Sequence, residues 1–178
     1  MMKQHEIFTI GHSTRTLDEL VKMLTSFSIE LLVDIRSFPG SRKFPQFNKE
    51  NLEATIPLYG IEYLHMRDLG GRRKALPVSH NMGWRLAAFR GYADYMETPG
   101  FLEAIKKLEK LATKKRVAYM CSEAVWWRCH RSLVSDYLKL KGWKVMHIMA
   151  IGKAEEHPYT SPAKIIDGKL DYSPGTAS

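Results

Sequence analysis

Cysteine is scarce: Cys121 and Cys129 are the two in a chain of 178 residues. A disulfide-stapled scaffold needs more of them and a secreted setting, so the pair reads as free thiols. Long hydrophobic runs are missing too. Nothing approaches the roughly 18 consecutive apolar residues of a membrane span, and no membrane association is expected. The first residues, Met1 to Glu6, are too polar for a secretory signal. These absences point to a cytoplasmic protein. There is no internal repeat and no low-complexity segment. Acids are outnumbered, 19 against 27 lysines and arginines.

What is present is ordinary for a globular chain, with 44% apolar and 26% charged residues. The length fits a single domain, 1–178. A chain of this size buries roughly 70% of the surface it exposes when unfolded, enough for a core without staples. The net charge of +8 favours an anionic partner, either an anionic small molecule or nucleic acid. Solubility alone is the plainer reading of the same number. The composition does not fix an oligomeric state.

Strand and helix patterns alternate. Glu6 to Ile10 is a short apolar run ended by Gly11. Thr16 and Glu19 have capping-box spacing ahead of Leu17, Leu20, Val21 and Leu24, which predicts a helix over Thr16 to Phe27. Leu31 to Ile35 reads as a buried strand. Asn48 to Leu58 suits a short helix with Asn48 as cap and Gly60 as stop, and Ile61 to His65 is a third strand. Thr98 and Pro99 open another helix. Arg116 to Met120 is a fourth strand, His130 to Lys141 a helix closed by Gly142, and Lys144 to Ile148 a fifth strand. Alternation of this kind implies parallel pairing and right-handed crossovers. The expected fold is α/β: an open, mostly parallel, doubly wound (Rossmann-like) sheet of about five strands with flanking helices. Two stretches break the rhythm. An irregular basic and aromatic insertion spans about 66–96, with a short helix near Trp84 to Phe89. A proline-containing extended tail spans about 157–178, its last residues expected to be disordered.

Ligands of open α/β sheets bind beyond the carboxyl ends of the strands. His12 follows the first strand here, and Asp34 and Arg36 end the second. His65, then Arg72 and Arg73, follow the third. Cys121 and Glu123 follow the fourth, and His147 lies near the end of the fifth. Polar loops are common, which accounts for the serines and glycines. It accounts less well for a histidine, isolated arginines and a cysteine at successive strand ends. Cys121 leads through a loop to Arg128, His130 and Arg131 at the start of a helix. Positive charge and a helix N-terminus both lower a thiol pKa and attract an anion. Cysteine phosphatases and rhodanese-type sulfurtransferases share the outline, but six residues separate Cys121 from Arg128 and nine separate it from Arg131, so neither chemistry is assigned. Cys129 reads as a small core residue. Glu123 reads equally as a general base or as the counter-ion of Arg128 or Arg131, and Asp34 as an orienting group. The loops Ser37 to Phe47 and Gly70 to Lys74 add Arg42, Lys43, Arg72, Arg73 and Lys74 among interleaved aromatics, the composition of single-stranded nucleic-acid surfaces. His12, His65, Cys121, Cys129, His130 and His147 could ligate a metal, but no CxxC or HxxxH spacing occurs. No metal or cofactor is assigned.

Five segments in order carry a family resemblance: TIGHST (Thr9 to Thr14), VDIRSFPGSRKFPQF (Val33 to Phe47), LGGRR (Leu69 to Arg73), FRGYADYM (Phe89 to Met96) and MCSEAVWWRCHRSLVSDYL (Met120 to Leu138). In these the chain resembles the family catalogued as domain of unknown function 488. One departure is Val125-Trp126-Trp127, where the resemblance would place a proline near Trp126. The resemblance implies a compact α/β fold and does not assign an activity. The motif residues it carries over are His12, Asp34, Arg36, Arg42, Arg72, Arg73, Cys121, Glu123, Cys129, His130 and Arg131.

Three functions are carried forward. The first is an enzyme acting on an anionic or nucleotide-like substrate. In it Cys121 is nucleophile or sulfur carrier, Glu123 or His12 moves protons, and Arg36, Arg42, Arg72, Arg73, Arg128, His130 and Arg131 bind substrate. The second is a non-catalytic nucleic-acid-binding module. The third is a metal-dependent hydrolase using the histidines.

Overall fold

Parallel strands need both faces covered, and the apolar runs of the central strands are buried on both. The computed structural model describes residues 4–175. Glu6–Gly11 (β1), Leu31–Asp34 (β2), Glu62–His65 (β3), Val117–Cys121 (β4) and Lys144–Ala150 (β5) pair in parallel, in the order β3-β2-β4-β1-β5. Lys153–Glu156 (β6) adds an antiparallel edge beside β5 through the turn at Ile151 and Gly152. Ile7, Phe8 and Ile10 on central β1 are all buried, as continuous apolar strands of a doubly wound sheet must be. Among the described residues, no helix is long and apolar enough to cross a membrane.

Helices cover the two faces. Leu17–Ser26 (α1) and Lys49–Thr55 (α2) send Leu20, Leu24 and Leu52 onto Phe8, Ile10, Leu32 and Met120. Ala87–Tyr95 (α3), Pro99–Lys114 (α4) and Arg131–Leu140 (α5) send Tyr92, Ile105, Leu108 and Val134 onto Val33, Tyr119 and Val145. Thr16 and Thr98 cap α1 and α4, each hydroxyl accepting from the amide three residues on, at 3.1 and 3.4 Å. Asn48 precedes α2 but does not cap it with its side chain: Oδ1 accepts from the Ser41 amide at 2.6 Å and pins the preceding loop. α2 passes into a 3-10 turn at Ile56–Tyr59, where Pro57 has no amide to continue the ladder.

The insertion and the tail are more ordered than their composition suggests. α3 begins at Ala87 rather than near Trp84, because its buried face is Tyr92, Ala93 and Asp94. Trp84 packs ahead of it against Phe89 and Tyr172. Asp94 gathers the irregular stretch, accepting from the Leu76 amide, the Ser79 hydroxyl and the Asn81 amide group. The tail docks on the body instead of trailing. Lys164–Ile166 (β7) and Lys169–Asp171 (β8) form a hairpin whose two turn residues, Asp167 and Gly168, both have positive φ, 52° and 75°. The expected disorder at the very end falls at 176–178, outside the described residues.

Candidate active site

The carboxyl ends of β1, β2 and β4 open onto one cleft of about 710 Å³. His12, Arg36, Arg72, Cys121, Glu123, Arg128 and His130 all border it, and Cys129 joins them. Arg42 is exposed on the neighbouring loop outside the lining. Arg73 and Arg131 are turned to other work, described below.

Two loops are zipped together at the cleft floor. The amides of His12 and Ser13 donate to the carbonyls of Cys121 and Ser122, at 3.1 and 2.9 Å, extending the β1–β4 ladder past its last strand residues. Gly11 allows this approach, since a Cβ there would stand 1.6 Å from the Glu123 carbonyl oxygen. Ser13 turns the chain with φ of 49°, an unusual conformation for a residue with a side chain.

Asp34 and Arg36 lie on one side of the chain with Ile35 between them. Asp34 accepts from the Arg36 amide, from Nε at 2.8 Å and from Nη2 at 2.6 Å, and its other oxygen also accepts from the Tyr63 hydroxyl at 2.5 Å. Arg36 Nη2 reaches the Phe47 carbonyl as well, and Nη1 stands 3.2 Å from His12 Nε2. A guanidinium only donates, so His12 Nε2 is the acceptor and the ring proton sits on Nδ1, donating to the Ser13 carbonyl at 2.9 Å. Burial, with the Arg36 charge adding to it, holds His12 down to about 4. A neutral imidazole with both nitrogens engaged is an orienting group for Arg36 rather than a free base.

Cys121 ends β4 and Cys129 stands two residues before α5, so the chain leaves and re-enters the same corner. Their sulfurs are in contact at 2.6 Å. Cys121 is 2% exposed at the cleft floor, and Cys129 is partly exposed beside it, the reverse of the depths expected from the sequence. Burial pushes the Cys121 thiol up. A hydrogen bond from Cys129 and the charge of Arg131 outweigh that and bring it below its ordinary value. Cys129 moves the opposite way, raised by burial and by its neighbour's sulfur. Of the two thiols, Cys121 is the more readily ionised.

Arg131 lies behind this pair, 1% exposed. Its Nη2 donates to the Glu123 and Ala124 carbonyls, its Nε has no partner, and no ion pair joins it to a carboxylate among the described residues. It supplies charge to the sulfurs from inside the fold, not a contact in the cleft. Glu123 is exposed and touches the site through its backbone carbonyl, and no ion pair links it to Arg128 or Arg131 among the described residues.

The Leu69 to Arg73 loop forms the far wall. Gly71 sits against the His130 ring, where a Cβ would come within 2.4 Å of Nδ1. His130 Nε2 donates to the Ile35 carbonyl at 2.8 Å, and burial, aided by Arg131 and Arg73, pushes it down to about 4. Arg72 reaches the rim over the Phe38 ring, while Arg73 lies on Tyr95 at 3.6 Å and donates to the Gly70 carbonyl, tying the loop to α3. Among the described residues no three of His, Cys, Asp or Glu are grouped to hold a metal ion.

A second buried polar system escaped the sequence reading. Asp136 on α5 accepts from His157 Nε2 at 2.8 Å, from the Thr160 amide and hydroxyl, and from the Tyr172 hydroxyl. With Asp136 accepting throughout, donation runs from Thr9 through His147 and His157 to Asp136. The Trp126 ring stacks on His147 at 4.8 Å, and its Nε1 donates to Glu155 on β6. Asp136 looks like any surface acid on a helix until its position beside Leu133, Val134 and Leu138 is counted, since that face is the buried one. The partnership of Cys121 with Cys129 was in principle readable, because a helix following a parallel strand begins over that strand's end.

No curated protein and no solved structure matches the chain. The family described as Domain of unknown function DUF488 matches it over residues 16–138, a span that holds Arg36, Arg72, Cys121, Glu123, Arg128, Cys129 and His130 but not the Gly11 to Ser13 turn. The chain belongs to the DUF488 family.

Proposed function

We propose that this protein is a cysteine-dependent enzyme of the cytoplasm that acts on an anionic substrate in the cleft at the carboxyl edge of its sheet. Cys121 is the nucleophile. Arg36, Arg72 and Arg128 face the substrate's charge, and Arg131 stabilises the thiolate from behind. The observation that carries this reading is Arg131: a buried cation without a carboxylate partner among the described residues, next to two sulfurs. Burying an unpaired charge is costly, and a Cys121 thiolate is the counter-charge that offsets the cost. His12 orients Arg36, and Cys129 holds the exchangeable proton.

Alkylation tests the reading directly. Cys121 is expected to react with iodoacetamide near neutral pH, below the ordinary thiol value of about 8.5. Iodoacetate, being anionic, is expected to gain over iodoacetamide relative to free cysteine, and Arg72→Ala with Arg128→Ala is expected to remove that gain. A Cys121 that labels only above pH 8.5, or only after unfolding, overturns the proposal.

A second reading has its own observation. Phe38 is 57% exposed under Arg67 and Arg72, and Trp127 is 50% exposed, a stacking and charged rim suited to single-stranded nucleic acid. A non-catalytic binding module would show oligonucleotide affinity that falls steeply with salt and a shallower slope after Arg72→Ala. Absence of binding at low salt removes this reading.

A further inference from the structure

Resting on the reading of Cys121 as nucleophile, we infer that Cys121 and Cys129 are a two-electron redox couple that reduces a small, carboxylate-bearing disulfide bound in the basic cleft. Cys121 is the attacking residue and Cys129 the resolving one.

The two sulfurs are already neighbours. The sulfurs stand 2.6 Å apart, so a covalent S–S bond of about 2.05 Å lies within roughly half an ångström of their positions. Both thiols border the cleft, and Cys129 is the more exposed, so a group attached to Cys121 stays within reach of its neighbour. A single-nucleophile enzyme has no need of a second sulfur in contact with the first.

The charges fix the order of events. Arg131 is one buried cation, and it can neutralise one thiolate at a time. In the resting state that thiolate is Cys121, and its negative charge is among the things that hold Cys129 protonated. Once Cys121 is bonded to a substrate sulfur its charge is gone. Cys129 then inherits the Arg131 charge, together with the Arg131 backbone amide that already points at its sulfur from 3.4 Å at the start of α5. Capping the first thiol thus activates the second.

The reaction balances. The Cys121 thiolate attacks one sulfur of the substrate disulfide, forming a mixed disulfide and breaking the substrate S–S bond. The departing thiolate takes the proton of Cys129. The Cys129 thiolate then attacks Cys121 Sγ, forming the internal disulfide and expelling the second substrate thiolate. Two cysteines lose two electrons, and one substrate disulfide becomes one thiol and one thiolate. The carboxylates of the substrate meet Arg72 and Arg128 at the rim.

The test uses the whole protein, oxidised glutathione as the anionic disulfide and cystamine as a cationic one. With oxidised glutathione, peptide mapping is expected to find Cys121 joined to Cys129, reversed by dithiothreitol. The rate is expected to exceed that with cystamine at least tenfold at low salt. In Cys129→Ser, where a hydroxyl donor remains, glutathione is expected to accumulate on Cys121. In Cys121→Ser, Cys129 is expected to stay unmodified. The inference is overturned if the wild-type protein forms no internal disulfide, if Cys121→Ser is modified at Cys129 as fast as the wild type at Cys121, or if cystamine reacts equally well. Iodoacetamide separates the two readings. If Cys129→Ser still alkylates at Cys121 near neutral pH while the wild type forms no disulfide, the redox couple fails and the nucleophile stands. If neither occurs, both fail.

Discussion

Arg36 Nη1 lies 3.2 Å from His12 Nε2, nitrogen facing nitrogen, on a guanidinium that Asp34 already holds through Nε and Nη2. The contact decides which imidazole nitrogen carries the proton. His12 is expected to be neutral at pH 7 with its proton on Nδ1, and to titrate near 4. Nitrogen chemical shifts of the labelled ring across a pH series check this. A titration near the ordinary 6.5 would mean that the His12 ring is not buried beside Arg36 in solution.

Acid should destabilise the protein before its carboxylates protonate. His12 and His130 have folded values lowered to about 4, against about 6.5 unfolded. Between those limits the unfolded chain binds protons that the folded chain refuses, so stability rises with pH and falls as pH drops. Each histidine contributes up to about 1.4 kcal/mol per pH unit. Urea midpoints between pH 4 and 7.5 are expected to show this slope and to flatten above about 6.5. A flat profile below pH 6.5 contradicts the burial of these rings.

Charge at Arg131 should be visible in the pH at which Cys121 reacts. Arg131→Met removes the cation and keeps most of the volume. The midpoint of Cys121 alkylation is expected to rise by about one pH unit or more, the usual effect of losing a nearby opposite charge. Arg131→Lys should rise less. Unchanged midpoints in both would sever Arg131 from the thiol.

Asp136→Asn tests the docked tail. Asparagine keeps the shape but places an amide where the carboxylate now accepts from His157, Thr160 and Tyr172. A loss of about 3 kcal/mol is expected, because the buried donors of His157, Thr160 and Tyr172 lose their acceptor. Limited proteolysis should move into 157–172. Unaltered cleavage would show that the tail is held by its apolar contacts alone.

Gly11→Ala should be among the most damaging small changes. The added Cβ meets the Glu123 carbonyl at 1.6 Å, and neither partner is a flexible side chain. About 3 kcal/mol of overpacking strain is expected, with a changed rate of Cys121 alkylation because the loop must move. Denaturant titration and the labelling rate measure the two effects.

The strands were legible because short apolar runs and burial agree: Leu31 to Ile35 and Arg116 to Met120 are apolar except for Asp34 and Arg116, and they fall within a residue of their observed positions. Thr16 and Thr98 were legible as caps for a local reason, a hydroxyl three residues ahead of a free amide. Asn48 was misread because its competing partner, the Ser41 amide, lies in the preceding loop. The gathering of His12, Arg36 and Cys121 followed from parallel topology alone. The roles of Arg73, Arg131 and Glu123 did not, since whether an arginine faces the cleft, an aromatic ring or the core depends on side-chain paths that spacing does not encode. The docked tail rests on His157, Thr160 and Tyr172 meeting one helix acid, contacts between residues 21 to 36 positions apart. The Asp167-Gly168 turn was a local hairpin signal and could have been read.

The indole of Trp126, laid flat on His147 within the segment that joins the two cysteines, gives the molecule its own optical gauge. Thiolates and disulfides quench indole emission to different degrees, and an indole freed from a stacked ring emits at longer wavelength. A change of oxidation state or a shift of that segment should therefore register in tryptophan fluorescence without any label. Trp126→Phe would identify the signal's origin while keeping an aromatic ring on the imidazole.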